Sequence, residues 1–149
     1  MKIETKFKNE KRIPVKYTAD GENVNPEIII SGIPDSAQSL VLIIEDPDAE
    51  RVAGHTFYHW AVSDIPVHGS TLTIKENSLP GNPSESSTKR KEYMGPSPPR
   101  GGGEHHYHFR VYALSKKIMI PSMSPIDKVI KEIEKNQIDS TEIVGIYSR

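Results

Sequence analysis

Three short clusters hold the side chains with chemistry in this chain: Glu45-Asp46-Pro47-Asp48-Ala49, His55 to Trp60 (HTFYHW), and Gly95 to Tyr107 (GPSPPRGGGEHHY). Histidine beside carboxylate suits both ligand recognition and acid–base work. One ring nitrogen donates, the other accepts, and a carboxylate decides which is which. Strand alternation sorts these residues by face. His105 and Tyr107 continue into Phe109 and Val111, an apolar and therefore core-facing row, while His106 and His108 continue into Arg110 on the opposite side. Asp46 follows Leu42 and Ile44 at the C-terminal end of a strand, and His59 aligns with Phe57 and Ala61. Asp46, His59, His105 and Tyr107 are thus expected at the ends of apolar strand faces, a composition that suits a small-ligand pocket.

The loop before His105 adds backbone chemistry. Pro98 and Pro99 fix φ and remove donors, whereas Gly101, Gly102 and Gly103 permit positive φ, so the expectation is a nest of inward N–H groups able to hold phosphate, sulfate or carboxylate. Plainer readings stand beside this one. A histidine next to a core is commonly a hydrogen-bonded structural residue, and Asp46-Pro47-Asp48 also reads as a turn opener. His106 and His108 form an H-x-H pair with metal-ligand spacing, but a third ligand would have to come from His55, His68 or Glu104, and Arg110 is an unfavourable neighbour for a cation. An enzyme reading makes His59 or His105 a general base oriented by Asp46. It lacks a nucleophile, since Ser63 lies four residues from His59, roughly 13 Å at strand rise.

These residues need a scaffold. The chain has 149 residues, 35% hydrophobic, with 12 Pro and 10 Gly, which suits short strands joined by shaped loops. A single domain, 1–149, burying roughly 68% of its unfolded surface is the expectation. Ser39 to Glu45 is a continuous apolar run fit for a strand covered on both faces. Thr56 to Ser63 and His106 to Leu114 are rich in aromatic and β-branched residues, and Ile3, Thr5 and Phe7 alternate with charges. Shorter strands are expected at Glu27 to Ile30, Thr71 to Ile74 and Glu142 to Tyr147. One helix is read from Pro125 to Lys135, with Ser124 as N-cap and Ile126, Val129, Ile130 and Ile133 at helical spacing. Between Lys75 and Glu104 the residues Pro80 to Lys91 read as a mobile, solvated excursion and the rest as a shaped loop.

Several classes are excluded at this level. Lys+Arg 19 against Asp+Glu 20 gives a net charge of −1, which removes the electrostatic case for a nucleic-acid partner. Without cysteine there is no disulfide framework, thiolate metal site or cysteine nucleophile. No cofactor motif is present, no stretch approaches the roughly 20 apolar residues of a membrane span, and the N-terminus has no signal-like run. The expectation is a cytoplasmic protein without integral membrane contact.

Taken in order, the clusters resemble the phosphatidylethanolamine-binding protein family, in its prokaryotic Raf kinase inhibitor-like (YbhB/YbcL-type) branch. The resemblance covers Ile13 to Thr18 with Asn25-Pro26, the Asp46-Pro47-Asp48-Ala49 signature, His59-Trp60-Ala61-Val62, Gly95 to Pro99 with Gly101, His105 and Tyr107, and Glu142 to Arg149. It implies a mainly β, antiparallel β-sandwich with one or two short helices and an anion pocket formed by Asp46, Asp48, His59, Ser97, Pro98, Pro99, His105 and Tyr107. It also implies a small anionic or phosphorylated ligand, a kinase or protease as protein partner, action by binding rather than turnover, and a homodimer. Glu50 and His106 depart from the family pattern, which usually has Pro and Arg there. A third class of reading leaves the pocket idle and puts the working surface on Pro80 to Lys91 or a dimer face.

Overall fold

A computed structural model describes residues 1–149. Nine strands occur in chain order: β1 Lys2–Glu4, β2 Lys11–Arg12, β3 Ile28–Ser31, β4 Ser39–Asp46, β5 Phe57–Ile65, β6 Leu72–Ile74, β7 Asn82–Pro83, β8 His105–Leu114 and β9 Gln137–Tyr147. Two helices join them, α1 Glu50–Ala53 and α2 Ile126–Asn136. A three-stranded sheet ordered β1-β3-β6 faces a six-stranded sheet ordered β2-β9-β8-β4-β5-β7. All pairings are antiparallel except β2 with β9, which is parallel.

The main core lies between the sheets. Ile3, Ile28, Ile30 and Ile74 of the small sheet meet Leu40, Leu42, Ile44, Trp60, Val62, Phe109 and Val111 of the large one. A second cluster seals the outer face of the large sheet, where Val129 and Ile133 of α2 cover Val41, Ile43, Ala61 and Leu114. This explains the unbroken apolar run of β4: its odd residues lie under α2 and its even residues in the sandwich, so both faces are dry.

Three expectations change. Pro125, not Ser124, occupies the N-cap of α2, and the Ser124 hydroxyl donates instead to the Pro121 carbonyl at 2.6 Å. The last strand begins at Gln137, directly after α2, rather than at Glu142. The segment 80–91 is pinned instead of free: Ser84 N–H donates to Ala61 O, Glu85 N–H to Ser124 O and Ser87 N–H to Tyr58 O. Two of those bonds run to the outer edge of β5 and the third to the residue before Pro125, pairings that a Pro-rich, polar sequence does not advertise.

Candidate functional site

Sheet order alone brings the three clusters together. Both β5 and β8 run antiparallel to β4, so their N-terminal ends lie beside its C-terminal end. Asp46 closes β4, Phe57 and His59 open β5, and His105 and Tyr107 open β8. There they line a cavity of about 320 Å³, together with Ala49, Val52 and Ala53 around α1 and with Met94, Gly95, Ser97, Pro98 and Pro99. That volume lies at the small end of ligand pockets.

His59 reaches the cavity through a β-bulge. Ile44 pairs with Trp60 and Glu45 with Tyr58, leaving His59 as the extra residue on β5. The bulge turns His59 inward beside Trp60, so its ring meets Tyr107 edge-to-face at 5.3 Å, while Ala61 points to the outer cluster under α2. The expected shared face of His59 and Ala61 is therefore corrected. Simple alternation cannot register one inserted residue.

The polar floor is unusual in what it leaves unpaired. His105 Nδ1 bonds Asp46 Oδ2 at 2.6 Å, with the residues only 2% and 3% exposed. Asp46 Oδ1 and His105 Nε2 are buried and have no partner. His59 Nδ1 donates to the Met94 carbonyl at 2.8 Å, which leaves its Nε2 carrying the lone pair. Burial lowers the His59 pKa, partly offset by that bond, so the ring is neutral at pH 7. Burial raises the Tyr107 pKa, and its hydroxyl stays a protonated donor.

The wall opposite is made by 94–99. Gly95 is required there, because a Cβ would overlap the Tyr17 carbonyl oxygen, and its N–H donates to Asn23 Oδ1 at 2.7 Å. The Ser97 N–H has no protein acceptor, and Ser97 lies at the cavity surface with Pro98 and Pro99. The glycine nest does not form. Gly101 and Gly103 do take positive φ (73° and 84°), but Gly101 N–H donates to Arg149 O, Gly102 N–H to Pro99 O, and all three glycines are exposed outside the cavity. Two of the backbone donors of that loop are spent on closing it.

Asp48 also falls outside the cavity lining. Its Oδ2 accepts both the backbone N–H and the ring Nδ1–H of His106, each at 2.7 Å. Burial favours the neutral acid, but these bonds prevail and hold the Asp48 carboxyl below its usual range. Asp48 and His106 thus form a latch between the turn after β4 and the start of β8. Both departures from the family pattern lie off the floor, since Glu50 opens α1 in solvent and His106 points outward. His108 bonds Glu142 at 3.1 Å, and no three His, Asp or Glu side chains are grouped to hold a metal ion. Ser63 is buried, with its hydroxyl directed to Asn82 O at 3.4 Å.

Sequence reasoning missed the apolar rim of Ala49, Val52, Ala53, Phe57 and Met94. Val52 is 59% exposed on a four-residue helix beside the cavity, a placement that tertiary structure sets and no sequence pattern marks.

The buried neutral His59 predicts a pH dependence. Its folded pKa lies below the unfolded value of about 6.5, so the unfolded chain binds the extra proton and stability falls as pH drops through about 6.5 toward the folded value. Urea midpoints at pH 8, 7, 6 and 5 are expected to decline more steeply for the native chain than for His59→Phe. Parallel declines would remove His59 as the cause.

Fold and site together define a two-sheet β-sandwich with a ligand-sized cavity where three strand ends meet. The chain belongs to the phosphatidylethanolamine-binding protein family, whose model matches residues 3–148. A UPF0098 protein of Pyrococcus abyssi is 37% identical over 155 residues, covering 100% of this chain and 85% of that one. UPF0098 protein YbcL of Escherichia coli is 30% identical over 139 residues, covering 88% and 75%. The crystal structure of the PEBP homologue CT736 of Chlamydia trachomatis superposes with a TM-score of 0.88 at 26% identity, covering 99% and 96%. That of YbcL shares the fold with a TM-score of 0.87, covering 99% and 97%.

Proposed function

We propose that this protein binds a small ligand bearing a phosphate or related acidic group, in the cavity floored by Asp46, His59, His105 and Tyr107, and acts by binding. The observation that supports it is the pair of buried, unpartnered atoms, Asp46 Oδ1 and His105 Nε2, in two residues that line a preformed cavity. Buried polar atoms are nearly always hydrogen-bonded, so a cavity floor with two orphans is a site whose bonds a ligand completes. Tyr107 hydroxyl and Ser97 add donors, and the rim of Val52, Phe57 and Pro98 receives an apolar substituent. A phosphate group on a partner protein such as a kinase or protease suits the same cavity, with the cytoplasm as the setting that a cysteine-free chain fits.

Tyr107→Phe tests the reading with little structural cost, because the hydroxyl makes no protein hydrogen bond. Loss of one hydrogen bond to a charged ligand is worth about 1.5–3 kcal/mol. Calorimetry with inorganic phosphate is expected to show saturable binding to the native chain and an affinity roughly 10- to 100-fold lower in the variant. Absence of saturable binding, or equal affinity in both, would overturn the assignment.

A second reading draws on the Asp46–His105 bond, which orients an imidazole as a general base. Turnover of small phosphate or carboxylate esters by the native chain, lost in His105→Gln, would establish it.

A further inference from the structure

We infer that a second cavity, beneath α2 on the outer face of the large sheet, binds a linear aliphatic diamine, with one ammonium group held at Glu45 and the other at Glu134. This cavity shares no residue with the one at the strand ends and does not depend on the phosphate reading.

A space of about 260 Å³ lies between α2 and the sheet. Its floor is Ile43 and Glu45 of β4, its sides are Tyr58 of β5 and Tyr112 of β8, and α2 covers it with Ile130, Ile133 and Glu134. The space is elongated. Tyr58 pairs with Glu45 and Tyr112 with Val41, positions four residues apart on β4 and about 13 Å at strand rise. Overhead, α2 runs from Asp127, beside Tyr58, to Glu134, seven residues and about 10 Å at helical rise. Glu45 and Glu134 therefore stand toward opposite ends, with isoleucine side chains between them.

Charge decides what kind of ligand fits. Glu45 Oε1 holds Arg110 Nε at 2.7 Å and leaves Oε2 free, while the same guanidinium also faces Glu142 at 3.4 Å. Of the three carboxylates on α2, only Glu132 is ion-paired, to Lys116 at 3.6 Å, so Asp127 and Glu134 have no cation. Lys128, Lys131 and Lys135 are exposed on the helix. Arg110 is thus shared by two carboxylates, and an anion entering the cavity would find no free positive group. The tyrosines stand in the same field. Burial raises the pKa of both hydroxyls, and Glu45 and Asp127 raise that of Tyr58 further. A neutral tyrosine offers an ammonium group an oxygen lone pair and the negative face of its ring.

Carboxylate, hydrocarbon, carboxylate along the cavity matches ammonium, methylene chain, ammonium along a diamine. A monoamine satisfies one end only, and an alcohol of the same length satisfies neither.

NMR titration of the native chain at low ionic strength, where ion pairs are least screened, would compare cadaverine (the five-carbon α,ω-diamine), trimethylenediamine, n-pentylamine and pentanol. Cadaverine is expected to bind saturably, with shifts centred on Ile43, Tyr58, Tyr112 and Ile130. One further exposed ion pair makes it about fivefold tighter than pentylamine, with pentanol weaker than pentylamine by a similar factor. Trimethylenediamine, too short to reach both carboxylates, is expected to bind no more tightly than pentylamine. Glu134→Gln alters an exposed side chain without a partner, so the fold is retained, and cadaverine is expected to drop to the pentylamine affinity. Equal binding of cadaverine and pentanol would make the cavity merely apolar and overturn the inference. Unsaturable shifts spread over the acidic surface would reduce the effect to counterion exchange and overturn it too. Native affinity in Glu134→Gln removes the two-ended grip, and no shift at tens of millimolar removes the site. None of these outcomes bears on phosphate binding at the strand ends.

Discussion

His105→Ala is expected to cost about 3–5 kcal/mol of stability at pH 7, because it leaves the Asp46 carboxylate buried with neither oxygen paired. In the native chain, Oδ2 is held at 2.6 Å by the His105 ring, and both residues are almost completely inaccessible. The free energy lost is mostly the penalty of an uncompensated buried charge rather than the worth of the bond itself. The double variant His105→Ala/Asp46→Ala removes that charge and is expected to recover a large part of the loss, although it has deleted more native atoms. Urea midpoints of the two single variants and the double one measure the coupling directly. A single variant as stable as the native chain, or a double variant no better than His105→Ala, would show that the pair is not desolvated in solution. The same substitution removes the unpartnered Nε2 from the cavity floor, so ligand binding is expected to disappear with it. His105→Gln separates the two effects, since an amide can still donate to Asp46 without restoring the imidazole.

Trp60→Ala is the second large effect, again about 3–5 kcal/mol, for a fully buried indole at 1% exposure. Its consequence reaches the cavity. The Trp60 indole N–H donates to Lys91 O at 3.0 Å, and its ring meets Tyr93 edge-to-face at 5.7 Å. Tyr93 in turn donates through its hydroxyl to Tyr17 O at 2.6 Å, just before the wall formed by Met94 to Pro99. Trp60 thus anchors the segment that supplies the His59 acceptor, Met94 O. Trp60→Ala is therefore expected to lower both the urea midpoint and the affinity for phosphate. Trp60→Phe keeps the ring packing but not the N–H, and is expected to fall between the two. Wild-type affinity in a Trp60→Ala protein shown to be destabilised would mean that the wall holds its shape without this anchor.

Much of the cavity was legible from residue order because strand alternation is a local property. His105 and Tyr107 lie on the apolar face of β8, and Asp46 continues the row of Leu42 and Ile44, as period-two reading requires. His59 was legible as a pocket residue sharing a face with Phe57, but its separation from Ala61 was not. The bulge that turns it inward depends on which residues of β4 and β5 pair, a relation between segments that neither carries alone. Asp48 shows the opposite failure. It belongs to the same signature as Asp46, yet two residues further on the chain has left the strand for a tight turn, and its carboxylate is used by His106. The glycines behaved as their φ freedom predicts, but that freedom served to close the loop on Arg149 and Pro99 instead of turning N–H groups toward a ligand.

By itself, then, the sequence determined the strand faces, the absence of thiol chemistry, the family and the identity of Asp46, His59, His105 and Tyr107 as the polar set. The strand faces, the missing thiols and the polar set follow from residue type and short-range periodicity, and the family from the resemblance carried by the ordered motifs. Tertiary structure decided that three strand ends meet in one place, that His59 joins them through a bulge, and that one oxygen of Asp46 and one nitrogen of His105 remain unpaired. Pairing and desolvation are properties of the packed chain. Only when β8 and β5 flank β4 are these two atoms shut away from the surface, and only then does leaving them unpaired carry a cost.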